Sequence, residues 1–101
     1  MEKRELLLGD DAVALAAIHE GISGAYGYPG TPSTELFEFI QERADAMGIH
    51  ARWSANEKVA YEEAIGMSFA GKRAIVSMKH VGLNVAADAF VNSGVTGANG
   101  G

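Results

Sequence analysis

The stretch Gly24-Ala25-Tyr26-Gly27-Tyr28-Pro29-Gly30-Thr31-Pro32-Ser33 decides the fold, because within ten residues it turns from strand to loop to helix. Small and aromatic residues predict a strand over 24–28, and the Pro-Gly-Thr-Pro run predicts the loop. Thr31 can cap the following helix, and Pro32 suits its first position, where the missing N–H has no cost. That helix is predicted to end at Gly48.

The same alternation of strand and helix recurs along the chain. Strands are predicted over 5–8, 49–53 and 73–78, and a helical segment follows each of them. Four such strand–helix units, counting residues 24–28, are typical of a parallel sheet covered by helices. The sequence therefore predicts an α/β fold, a three-layer sandwich with a parallel sheet, and a chain end that falls between elements.

The helix after the third strand carries two local signals. Ser54 and Glu57 have the S-x-x-E spacing of a capping box, in which serine and glutamate satisfy free amides at a helix start. Gly66 lies inside the predicted helix and costs about 1 kcal/mol relative to alanine, so we expect close packing around it.

Composition excludes several classes of function. The chain has 101 residues, 13 glycines, no cysteine and a net charge of −5. An acidic chain is a poor unspecific binder of nucleic acid. No apolar run approaches the roughly 20 residues of a membrane helix, and no signal peptide is recognisable, so we expect a cytoplasmic protein. Without cysteine, the chain itself can form neither disulfides nor iron–sulfur ligands.

Three loops carry the candidate chemistry. They follow the predicted strands at Tyr28–Ser33, Ser54–Glu57 and Lys79–Asn84. Ligands of open parallel sheets bind beyond the carboxyl ends of the strands, and in a parallel sheet these loops share that edge. The common phosphate-loop, dinucleotide and hydrolase-elbow motifs are absent, and the three histidines have no metal-ligand spacing. On residues alone, a non-catalytic, flavodoxin-like binding module stays open as an alternative.

At these loops the sequence resembles a known family. Tyr28–Ser33, Asn56–Ala60 and Met78–Asp88 occur in the order seen in the thiamine-diphosphate-dependent 2-oxoacid:ferredoxin oxidoreductases, and the third motif resembles the indolepyruvate branch. The resemblance implies that residues 1–101 form the domain that binds the aminopyrimidine ring of thiamine diphosphate. It also implies an enzyme that converts aryl-pyruvates such as indolepyruvate, with coenzyme A, into acyl-CoA, CO₂ and reduced ferredoxin. The same domain of a pyruvate or 2-oxoglutarate enzyme is the alternative within the family.

The resemblance further implies parts that lie outside this chain. Mg²⁺ and the diphosphate would bind a second domain, and [4Fe-4S] clusters would bind cysteines elsewhere in the enzyme. The expected partners are that diphosphate-binding domain, an oxidoreductase β subunit, ferredoxin, the 2-oxoacid and coenzyme A, in a homo- or hetero-oligomer. We therefore expect the 101 residues alone to be inactive.

Site residues carry over from the family position by position. Glu57 matches the glutamate that hydrogen-bonds N1′ of the aminopyrimidine and so promotes ionisation of the cofactor. The alternative role of Glu57 is that of a capping-box residue. Thr31 is the candidate substrate contact, and its alternative role is the helix cap. His80, at a strand end, is a candidate for stabilising charge or relaying a proton. Its alternative is a loop histidine that only hydrogen-bonds the backbone.

Small and polar residues complete the predicted site. The candidate cofactor-binding residues are Pro29, Gly30, Glu57, Gly82 and Asn84. Gly30 stands where many relatives carry a larger residue, which we expect to leave room for a bulky side chain such as an indole. Gly82 permits close approach of the backbone to a ring. Lys79 is expected to pair with an acidic neighbour, and no metal ligand is expected within the chain.

Overall fold

Strands and helices alternate in the computed structural model, which describes residues 9–30, 33–97 and 100. The helices within this part are α1 (Gly9–His19), α2 (Thr34–Met47), α3 (Glu57–Phe69), α4 (Gly82–Val85) and α5 (Ala87–Thr96), and the strands are β1 (Gly24–Gly27), β2 (His50–Trp53) and β3 (Ala74–Ser77). The strand predicted over 5–8 lies outside the described residues.

The sheet is parallel and has the order β2-β1-β3. Strand β1 lies in the centre, and all four of its residues are buried. The chain passes from β1 through α2 to β2, and then through α3 across the sheet to β3. The expected α/β sandwich with a parallel sheet is confirmed for the described part of the chain.

Helices cover both faces of the sheet. On one face, α1 and α2 bury a cluster of apolar side chains against β1: Ala14, Ile18, Ala25, Phe37, Ile40, Ala44 and Ile49. The ring of Phe37 stacks on Trp53 of β2, with ring centroids 4.1 Å apart. On the other face, Met67 of α3 packs against Gly24, where an added Cβ would lie 3.1 Å from its methyl carbon.

The helix ends test the local predictions. Gly48 ends α2 as predicted: its φ of 67° is left-handed, and its N–H is directed at the carbonyls of Ala44 and Asp45. The helix begins at Thr34, and Thr31 and Pro32 lie outside the described residues. No helix among the described residues is long and apolar enough to cross a membrane.

Two predictions about α3 are wrong. Ser54 does not form a capping box with Glu57, because the cap of α3 is Asn56, whose side chain accepts from the Val59 amide at 3.0 Å. Gly66 is exposed, and a Cβ added there would meet nothing within 4 Å. Close packing around Gly66 is therefore absent from the described part of the chain.

Candidate functional site

The carboxyl ends of the three strands are level with one another. Gly27 of β1 lies opposite Trp53 of β2 and opposite Ser77 of β3 in the parallel register. The three candidate loops therefore leave the sheet at one edge, as the sequence predicts. A direct bond ties two of them to that edge, because the Ser54 amide donates to the Gly27 carbonyl at 2.8 Å.

Glu57 is buried at this edge, at the start of α3. Its side chain belongs to a residue only 4% exposed, although glutamate is rarely buried without a partner. Asn56 makes the helix cap, so the Glu57 carboxylate is free of that task. None of the hydrogen bonds and ion pairs within the described part of the chain involves this carboxylate. Its oxygens are not among the fully buried, unpartnered polar atoms of the described residues, so they keep some solvent contact and offer an acceptor to an external donor.

Gly82 lies directly against Glu57. A Cβ built on Gly82 would be 2.7 Å from Cγ and 2.8 Å from Oε2 of Glu57, and 3.0 Å from Cβ of Met78. Distances this short show that the first residue of α4 lies against the Glu57 side chain. Two residues that the sequence singled out from separate motifs are thus neighbours in space.

The loop after β1 is held by its own polar groups. The Gly30 amide donates to Oγ1 of Thr34 at 2.8 Å, and Oγ of Ser33 donates to the Gly30 carbonyl at 2.8 Å. A Cβ on Gly30 would lie 3.0–3.1 Å from three carbons of the Lys79 side chain. The space beside Gly30, expected to be open for a bulky substrate, is occupied by Lys79 in this structure.

The described part of the chain does not link the remaining predicted site residues to Glu57. Pro29, His80 and Asn84 are exposed, and no side-chain hydrogen bond within the described residues joins them to Glu57. Thr31 lies outside the described residues. Lys79 forms no ion pair with a described residue, contrary to the expectation of an acidic partner. The structure thus brings together Glu57 with Gly82, and Gly30 with Lys79, and leaves the other roles as proposals.

Sequence reasoning missed Ser77, the last residue of β3. It is buried, and its Oγ has no hydrogen-bond partner. A Cβ on Gly27 would be 2.8 Å from that Oγ, so the hydroxyl lies between the ends of the two strands. Such orphaned hydroxyls are uncommon in folded proteins. A serine that ends an otherwise apolar strand was the signal in the sequence.

Tyr26 of β1 was also missed. Its hydroxyl lies 3.0 Å from Nδ1 of His50, and its ring meets that imidazole edge-on. Burial raises the pKa of the Tyr26 hydroxyl above its ordinary value, the Glu63 charge raises it further, and Arg52 lowers it. The pair belongs to the sheet face under α3, below the carboxyl edge.

Two cavities lie away from the predicted site. One of about 320 Å³ opens between α3 and α5, beside Ile65, Phe69 and Ala89. The other, of about 330 Å³, reaches β3 at Ala74 and Val76. Neither is lined by a residue that the sequence predicts to bind cofactor or substrate.

Comparison with known proteins identifies relatives across almost the whole chain. The chain is 46% identical over 99 residues to the indolepyruvate oxidoreductase subunit IorA of Thermococcus kodakarensis. It is 48% identical over 100 residues to the same subunit of Pyrococcus abyssi, and 46% identical over 103 residues to that of Archaeoglobus fulgidus. Each alignment covers 98% of this chain but only 15–16% of the relative. The chain matches no protein-family model.

A solved structure agrees with these relatives. The chain superposes with a TM-score of 0.75 and 28% identity on a 2-oxoglutarate:ferredoxin oxidoreductase from Magnetococcus marinus, over 78% of this chain and 14% of that one. That structure was determined with 2-oxoglutarate, coenzyme A and succinyl-CoA bound. Sequence and fold therefore point to the same class of oxidoreductase.

Proposed function

Because the chain belongs to the family of the indolepyruvate oxidoreductase subunits IorA, we propose that it is the part of a 2-oxoacid:ferredoxin oxidoreductase that binds the aminopyrimidine ring of thiamine diphosphate. The proposed domain comprises residues 1–101, and the chain spans about 15% of the length of the relatives it matches. Catalysis is then a property of the whole enzyme, and the 101 residues alone are inactive.

One observation carries the proposal: Glu57 is a buried residue whose carboxylate, which keeps some solvent contact, has no donor among the described residues. A buried carboxylate is costly unless something pairs with it. A protonated ring nitrogen is a fitting partner, since it supplies the missing donor and gains a charge-assisted hydrogen bond. The acceptor at this edge therefore fits a protonated aminopyrimidine.

The chain's own groups have distinct tasks in this proposal. When bound, thiamine diphosphate supplies the electron sink for loss of CO₂ from a 2-oxoacid. Glu57 accepts a hydrogen bond from N1′ and holds the proton there. Pro29, Gly30, Gly82 and Asn84 form the surrounding wall, Thr31 contacts the substrate, and His80 faces the developing charge.

The finer assignments follow the names of the relatives. The IorA subunits, at 46–48% identity, favour indolepyruvate over the 2-oxoglutarate of the structural neighbour at 28%. The word subunit in those names supports a β subunit and further domains as partners. Coenzyme A, ferredoxin, Mg²⁺ and [4Fe-4S] clusters complete the proposed reaction, and the ligands of the metals lie outside this chain, which contains no cysteine.

The test uses the complete enzyme that contains this chain. Glu57→Gln keeps the shape of the side chain but removes the carboxylate, and we expect a loss of about 10²–10⁴-fold in kcat, the range for removal of an acid–base group. The matched control is Glu35→Gln, in the exposed first turn of α2, with unchanged kcat. Full activity of Glu57→Gln would contradict the proposed role.

The substrate is tested separately. The intact enzyme is assayed with indolepyruvate, phenylpyruvate, pyruvate and 2-oxoglutarate, with ferredoxin reduction as the signal. We expect the highest kcat/KM with the two aryl-pyruvates. Preference for 2-oxoglutarate or pyruvate would transfer the proposal to another branch of the family and leave the role of Glu57 intact.

A further inference from the structure

Gly82 has no conformational reason to be glycine. Its φ is not among the left-handed values of the described glycines, which are those of Gly21, Gly48, Gly71 and Gly97. An alanine is therefore compatible with the backbone at this position. What excludes it is space, because a Cβ would lie within 3.0 Å of both Glu57 and Met78.

We propose that Gly82 is a positioning residue for Glu57, and that the loop after β3 acts on the reaction by fixing the Glu57 side chain. This inference rests on the proposed function of Glu57 and deepens it. It adds to the role proposed above, in which Gly82 lets the backbone approach the cofactor ring. In the structure, the side of Gly82 on which a Cβ would stand faces the Glu57 carboxylate.

The backbone is held in place on both sides of the contact, so an added Cβ is relieved by movement of the Glu57 side chain rather than of the backbone. The Gly82 amide donates to the Lys79 carbonyl at 2.9 Å, and the Gly82 carbonyl accepts from the Ala86 amide at 3.1 Å. On the other side, Glu57 is the first residue of α3, directly after the Asn56 cap. The side chain of Glu57 is then the part that must turn away.

The consequence for the site is specific. The atoms nearest to the added Cβ are Cγ and Oε2 of Glu57, at 2.7 and 2.8 Å. Relief of contacts this short requires Cγ and the attached carboxylate to rotate or to move by several tenths of an ångström. A misplacement of about 1 Å can reduce a rate by about 10²-fold. Gly82 therefore controls the direction of the Glu57 carboxylate, although Gly82 itself does not touch the reacting atoms.

A double-mutant cycle in the complete enzyme tests this coupling. The variants are Gly82→Ala, Glu57→Ala and the two combined, and the control is Gly66→Ala, where an added Cβ meets nothing within 4 Å. We expect Gly82→Ala to lower kcat by about 10-fold to 10²-fold. In the Glu57→Ala background, which lacks Cγ and the carboxylate, the same change should alter the residual kcat by less than twofold. Gly66→Ala should leave kcat within twofold.

A second measurement keeps the test independent of activity. Thermal unfolding should show Gly82→Ala lowering the midpoint when Glu57 is present, and lowering it much less in the Glu57→Ala background. An equal loss of kcat and of midpoint in both backgrounds would overturn the inference, as would an unchanged kcat for Gly82→Ala. If Glu57→Ala retained full activity, the proposed function would fail, whereas the unfolding cycle would still report the contact.

Discussion

Replacing Glu57 by methionine should make the protein more stable while it abolishes the proposed activity. Burial of a polar group without a partner costs about 1–3 kcal/mol in mutational series, and we expect the lower end at Glu57, because its oxygens keep some solvent contact. Glu57 is 4% exposed and has no donor among the described residues. Methionine is similar in volume, so the substitution leaves no cavity and keeps the contact with Gly82.

An opposing effect reduces the gain. Glu57 is in the first turn of α3, where a negative charge contributes about 0.3–1 kcal/mol through the helix dipole. The difference leaves a net stabilisation of about 0.5 kcal/mol, since a cost of about 1 kcal/mol exceeds the typical dipole contribution. For a domain of this size, about 0.5 kcal/mol raises the melting midpoint by about 2–4 °C.

Urea and thermal unfolding of the 101-residue chain, followed by circular dichroism, measure this effect. Glu35→Met is the matched control, because Glu35 is in the first turn of α2 but exposed. It loses the dipole contribution without relieving a buried charge, so its midpoint should stay the same or fall. If Glu57→Met were less stable than the parent chain, the carboxylate would be a structural group and the argument for a ligand at Glu57 would be refuted.

Three further results are expected from changes elsewhere in the described chain. Asn56→Ala should cost about 1 kcal/mol in urea unfolding, whereas Asn56→Ser, which keeps an acceptor for the cap, should cost much less. Phe37→Ala should cost about 3–5 kcal/mol, because the ring is fully buried against the sheet. Burial raises the pKa of Tyr26, so its contribution is present below pH 10 and is lost as the pH rises through the higher pKa of the folded state. Tyr26→Phe should therefore flatten the fall of stability above pH 10, and an unchanged pH profile would contradict this.

Sequence patterns predicted the order of the elements well, because each rests on a short-range rule. The stop of α2 at Gly48 follows from the left-handed conformation that glycine adopts easily. The shared edge of the three loops follows from the parallel sheet. The cap of α3 was different, since Ser54 and Asn56 are both good capping residues and the choice depends on the backbone. Asn56 has the extended φ and ψ of a cap, and Ser54 is instead bound to Glu63 at 2.7 Å.

The sequence singled out the candidate site residues, but it did not predict which of them lie against one another. Motif resemblance selected Glu57, Gly30 and Gly82, yet only the fold shows which side chain each glycine meets. Gly30 was expected to open space, and Lys79 from another strand end occupies it. Contacts between residues distant in sequence depend on where the two crossover connections, from β1 to β2 and from β2 to β3, place the loops at the carboxyl edge of the sheet. A single sequence carries no local signal for them.

The division of tasks at the start of α3 links fold and chemistry. A helix start normally consumes nearby acceptors, because its first amides lack partners. Here Asn56 supplies that acceptor, so the carboxylate of the next residue is not needed for the helix. Gly82 then holds the Glu57 side chain from the other side. A carboxylate at the carboxyl edge with no internal donor is what a protonated ring nitrogen requires. The Asn56 cap and Gly82 therefore support the proposed chemistry of Glu57, although neither touches the reacting atoms.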